Sequence, residues 1–133
     1  MYKQLTPVLV VDRVEPCLPF WTDRLGYQVT ATVPHEDRLG FAILQKGGVE
    51  LMYQTRASLA ADLPSLTDEV RPGGCTLFIE VDSVDEVERA LKGVETLVPR
   101  RQTFYGMDEI FVRGPCGSVI GFAAPVAGAA EKS

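Results

Sequence analysis

Apolar residues recur along this chain in runs of strand length, with two helical patterns set between them. Residues 5–11 (Leu-Thr-Pro-Val-Leu-Val-Val) read as a buried strand. Asp12-Arg13-Val14-Glu15 then has the cap-x-x-acid form that opens a helix, predicted to run to about Leu25 with Gly26 as its stop. Pro16 suits a first turn, whereas Pro19 predicts a short or irregular helix. Leu18, Trp21 and Leu25 fall at helical spacing, so Trp21 is expected in the core before it is expected in a ligand wall. Residues 27–33 and 39–45 are rich in branched and aromatic side chains and flank a Pro34-His35-Glu36-Asp37 turn. After Lys46-Gly47-Gly48, residues 49–54 complete a three-stranded meander.

Between Thr55 and Gly74 the pattern lapses. Residues 57–63 suit a short helix, while Pro64, Pro72 and Gly73-Gly74 mark a linker. Beyond it the plan returns. Residues 75–81 are a strand, Ser83-Val84-Asp85-Glu86 is a capping box, and the helix is expected to end near Lys92-Gly93. Residues 94–98, 108–113 and 118–123 supply three more strands, the last after a Gly114-Pro115-Cys116-Gly117 turn. Val10 and Val81, Asp12 and Ser83, and Leu51 and Phe122 each stand 71 residues apart, which predicts two copies of one unit. The expected arrangement is one domain over residues 1–133: module one at 5–55, linker at 56–74, module two at 75–125 and a frayed tail at 126–133.

One carboxylate interrupts the meander's apolar pattern. Alternation sends Val49, Leu51 and Tyr53 to one face of their strand and Glu50, Met52 and Gln54 to the other. Glu50 must therefore be solvated, paired or useful. Composition narrows the partners. A net charge of −5 disfavours nucleic acid and mildly suits cationic ligands. No run approaches membrane-spanning length and the first residues lack signal-peptide shape, so the cytoplasm is the expected location. Three cysteines, Cys17, Cys75 and Cys116, without C-x-x-C spacing argue for reduced thiols rather than a disulfide framework or zinc site.

The paired βαβββ order is joined by Val10-x-Asp12, Phe20-Trp21, Leu25-Gly26-Tyr27, Val49-Glu50-Leu51, Phe78-x-x-Val81 and Gly114-Pro115-x-Gly117. Together these resemble the vicinal oxygen chelate superfamily, which includes glyoxalases, extradiol dioxygenases, fosfomycin-resistance enzymes and bleomycin-type binding proteins. The resemblance implies an α+β fold, two tandem βαβββ modules forming a curved mixed sheet around a cleft. It also implies four metal-ligand positions, which map onto Leu5, Glu50, Thr76 and Gly121. Of these only Glu50 has strong donor chemistry, and the one histidine, His35, falls in a predicted turn, so neither metal nor cofactor is expected.

Strand parity places Leu5, Pro7, Leu9, Glu50, Met52, Thr76, Phe78 and Gly121 on the face away from the helices, which the resemblance makes the cleft wall. The resemblance also implies a loop at its mouth bearing Phe104, Tyr105 and Met107, side chains that suit stacking on a ligand, a hydrophobic loop anchor or a dimer contact alike. Arg100 or Arg101 is a candidate partner for Glu50 or for an anionic ligand. Three functions are compatible with such a face. The first is a metal-independent protein that sequesters a small aromatic or cationic molecule, as bleomycin-resistance proteins do. The second is a lyase or isomerase with Glu50 as its catalytic acid or base. The third is an interaction module without a ligand. The resemblance further implies a homodimer, and neither nucleic acid nor membrane is an expected partner.

Overall fold

A computed structural model describes residues 1–71 and 75–126. The chain divides into two compact units, Met1–Gly74 and Cys75–Ser133, at the glycine-rich seam. The first carries β1 (Val8–Val11), β2 (Gln28–His35), β3 (Arg38–Lys46), β4 (Val49–Thr55) and α1 (Arg56–Asp62). The second carries β5 (Thr76–Glu80), α2 (Val84–Ala90), β6 (Thr96–Gln102), β7 (Met107–Arg113) and β8 (Val119–Pro125). Each unit holds one four-stranded mixed sheet, ordered β1-β4-β3-β2 and β5-β8-β7-β6, so the two βαβββ-like modules of an α+β fold are present. Among the described residues no helix is long and apolar enough to cross a membrane. The tail expected beyond Val126 lies outside the described residues.

Local sequence accounts for these elements with two departures: the cap expected at Asp12, and the sixth strand, expected over residues 94–98, which runs Thr96–Gln102. Ser83 caps α2 by accepting the Glu86 backbone N–H at 3.2 Å, as its capping box predicts, and Thr55 caps α1 through Ser58 N–H at 3.1 Å. Asp12, by contrast, caps nothing. The segment after β1 is a 3-10 turn at Glu15–Cys17 followed by a π turn at Phe20–Arg24, with no side-chain cap. Pro16 and Pro19 remove two amide donors within four residues, so a regular ladder cannot form there. Glu15 turns outward from the turn and accepts the Leu39 backbone N–H at 2.7 Å, tying the segment to β3.

The core of the first unit lies on one face of its sheet, where Leu44, Leu51 and Tyr53 are fully buried beside Trp21. Trp21 Nε1 donates to the Tyr53 hydroxyl at 2.9 Å, and its ring meets Tyr27 edge-on at 4.9 Å. Trp21 is therefore core. In the second unit Ile110, Val112, Ile120 and Phe122 form the corresponding layer, with Val84, Val87 and Leu91 of the α2 region buried. Of the three free thiols only Cys17 packs inside; Cys75 and Cys116 are exposed.

Candidate functional site

Glu50 sits in β4 opposite Gln45, on the face turned away from Leu51 and Tyr53. It is partly buried, and its Oε1 accepts two hydrogen bonds: from Gln4 Nε2 at 3.0 Å and from the Thr6 hydroxyl at 3.2 Å. Gln4 Nε2 also reaches Thr6 Oγ1 at 3.0 Å, so the chain entering β1 folds its polar side chains onto the carboxylate. Two donors on one oxygen fix the direction of the acid.

That contact overturns part of the expected wall. β1 runs parallel to β4 with Val8 opposite Met52 and Leu9 opposite Tyr53, so Leu9 belongs to the core face and is buried. Pro7 contributes its carbonyl to Met52 N–H at 2.9 Å, and Leu5 is 88% exposed, ahead of the strand. Thr6 and Val8, rather than Leu5, Pro7 and Leu9, share the Glu50 side. The run Val8-Leu9-Val10-Val11 is apolar at every position, as parallel strands often are, and so offers no alternation from which to read its faces. The two modules also differ by one in register, since Phe78 lies opposite Gly121 where Val8 lies opposite Met52. A single spacing of 71 cannot hold for both strands of the parallel pair.

In the second sheet Thr76, Phe78 and Gly121 do lie on one face, the face away from Ile120 and Phe122. Phe78 is 54% exposed, and its ring stands 6.1 Å from that of Phe111, across Gly121. A Cβ on Gly121 would meet the Phe111 ring at 2.5 Å, so the ring occupies the space that a side chain at this position would need. The residues therefore do not fit the metal centre implied by the family. Gly121 has no donor and lies under an aromatic ring, Thr76 has only a hydroxyl, and the neighbour of Glu50 from the chain entering β1 is Thr6. Among the described residues no group of three His, Cys, Asp or Glu side chains is placed to hold a metal ion.

The two arginines have other partners. Arg100 binds Asp108 through Nη2 at 2.6 Å and Nε at 3.0 Å, and also pairs with Asp85 and Glu88 of α2. These contacts raise the Arg100 pKa and lower that of Asp85, pinning β6 to the helix. Arg101 donates from Nε at 2.9 Å and Nη2 at 2.6 Å to a single oxygen, Oε1 of Glu109. Glu109 is 1% exposed and was not among the residues singled out from the sequence. The available signal was hairpin pairing: adjacent Arg100-Arg101 returns antiparallel to adjacent Asp108-Glu109, with Arg101 opposite Glu109. Phe104 and Tyr105 occupy the tip of this hairpin, where Phe104 is 99% exposed and meets Tyr105 edge-on at 5.0 Å. Met107 opens β7 opposite Pro125, on the Glu109 side of the strand.

Comparison with known proteins places these sheets in context. The family model described as Glyoxalase/Bleomycin resistance protein/Dioxygenase superfamily matches residues 3–122. No curated protein matches significantly by sequence. Similar solved structures include a glyoxalase/bleomycin resistance protein/dioxygenase from Nocardioides, 21% identical with a TM-score of 0.70, covering 96% of this chain and 87% of that one. TnmS3, an antibiotic binding protein from Streptomyces sp. CB03234, is 20% identical with a TM-score of 0.65, covering 94% of this chain and 98% of its own. Lactoylglutathione lyase from Agrobacterium tumefaciens is 15% identical with a TM-score of 0.69, covering 92% of each chain. At these identities the structures share the fold. The family match spans nearly the whole described chain, and the protein belongs to the glyoxalase/bleomycin resistance protein/dioxygenase superfamily.

Proposed function

We propose that this protein is a metal-independent small-molecule binding protein of the sequestering kind. The observation that carries the reading is the replacement of a donor by an aromatic ring: Phe111 fills the space above Gly121, and half-exposed Phe78 stands beside it. Such a face attracts planar apolar molecules and offers little to a hard cation. Similarity to an antibiotic binding protein supports the same reading. The first unit carries a candidate face of its own, where Met52 lies on the same side of β4 as Glu50 and the carboxylate held by Gln4 and Thr6 orients a ligand group. Thr76 and Tyr105 complete the proposed binding residues on the second. The protein acts as a homodimer in the cytoplasm, where the exposed thiols Cys75 and Cys116 suit a reducing medium.

A thermal-shift screen of small aromatic molecules, repeated with Glu50→Gln and accompanied by metal analysis, tests the proposal. Ligand-dependent stabilisation that weakens in the variant, in protein without a stoichiometric divalent ion, is the expected outcome. Bound nickel, iron, zinc or manganese would sink it. Light scattering tests the dimer, and a monomer across micromolar concentrations would refute that part.

A further inference from the structure

Glu109 is a buried acid with an exposed counter-ion. Its side chain is 1% exposed, while that of Arg101 is 56% exposed. A carboxylate taken out of water needs a cation or several donors, and removing its only strong partner leaves a costly uncompensated charge. Here both guanidinium bonds fall on Oε1. Among the described residues Oε2 has only the Tyr105 hydroxyl, at 3.5 Å, which is the outer limit for a hydrogen bond. The second oxygen is thus under-supplied with donors, and the residue approaching it belongs to an exposed hairpin tip.

Its surroundings are aromatic. Glu109 and Phe111 are two apart on β7 and therefore share a face, and Phe111 lies next to Phe78 across Gly121. Between the carboxylate and Phe78 the strand β8 contributes only Gly121 and Ala123 to this face. The face thus combines a half-exposed phenyl ring, small residues, the exposed carboxylate of Glu80, which lies on β5 opposite Ala123, and a buried acid with one under-used oxygen. A planar aromatic body lying on Phe78 would carry a positively charged N–H group to Oε2, and the cation would share or replace the role of Arg101.

We propose that Glu109 is the residue that selects the ligand's charge, and that the second sheet takes planar aromatic cations bearing N–H donors. This rests on the small-molecule binding reading and assigns to Glu109, rather than Glu50, the recognition of charge. A purely structural Arg101–Glu109 pair would join β6 to β7 and leave ligand affinity indifferent to either residue.

The test is an equilibrium fluorescence titration with two probes, proflavine as a planar aromatic cation with amino groups and 1-anthracenesulfonate as a planar aromatic anion. The proteins are wild type, Glu109→Gln, Arg101→Gln and Phe78→Ala, each checked for folding by circular dichroism. Proflavine is expected to bind wild type in preference to the anion, to lose about tenfold or more in affinity in Glu109→Gln, and to gain affinity in Arg101→Gln, where the competing cation is gone. That opposite response is what a structural pair would not produce, and it remains readable if one variant is less stable. Proflavine binding that ignores both Glu109 and Arg101, or equal binding of the anion, would overturn the charge assignment while leaving small-molecule binding intact. Binding of neither probe to wild type would overturn both for planar aromatic ligands.

Discussion

Gly121→Ala probes the aromatic seat directly. The added Cβ would stand 2.5, 2.8 and 3.0 Å from three carbons of the Phe111 ring, so the ring must retreat by about 1 Å to restore ordinary contact. Gly121 is itself buried and β8 is paired on both sides, so the backbone has little freedom to yield and the ring must move. Overpacking of this kind costs roughly 1–3 kcal/mol. At about 4 °C per kcal/mol for a chain of this size, that is a fall in Tm of about 4–12 °C. Thermal denaturation followed by circular dichroism measures it. A second substitution, Phe111→Leu, should restore most of the loss by removing the clashing ring edge, so the two changes are non-additive. An unchanged Tm in Gly121→Ala, or additive losses in the double variant, would refute the claim that the ring occupies the vacant donor position.

Three other expectations concern the core of the first unit and the α2 cap of the second. Tyr53→Phe removes the acceptor of the buried Trp21 indole N–H and should cost about 1–3 kcal/mol in urea unfolding; a loss below a few tenths would mean that water or another group satisfies the indole. Ser83→Ala removes the α2 cap and should cost about 1 kcal/mol, whereas Ser83→Asp should retain it. Burial pushes the Tyr27 phenol up to about 12 from the usual 10. Its folded pKa is above the unfolded one, so its contribution to stability is complete below pH 10 and is lost as pH rises towards 12. An absorbance titration at high pH should show a tyrosine step near pH 12 that Tyr27→Phe removes.

Alternation and turn chemistry made the meander and the second module legible in the sequence. The Lys46-Gly47-Gly48 turn and the Ser83 box stand where local physics puts them. What local physics could not supply were tertiary choices. Glu15 has a capping-box position, yet the Leu39 amide, its largest cause of a lowered pKa, draws it across to β3 and leaves Asp12 without a capping role. β1 hid its faces because every residue from Val8 to Val11 is apolar, and only the register with β4 distinguishes Leu9 from Val8. Glu109 stayed hidden for the opposite reason. Next to Asp108 it reads as one more surface acid, until strand alternation sends Asp108 towards α2 and Glu109 to the other face. The strand faces of Glu50, Phe78 and Gly121 were thus legible, whereas the partner that each charge meets was not.

The central claim is ligand binding without a metal. Native mass spectrometry of the purified protein with a small aromatic library, before and after exhaustive EDTA treatment, measures both halves at once. Adducts of one ligand per binding site, unchanged in abundance by EDTA and diminished in Phe78→Ala, are the predicted result. One divalent ion retained per chain, with adducts that vanish on chelation and return with the metal, would contradict it.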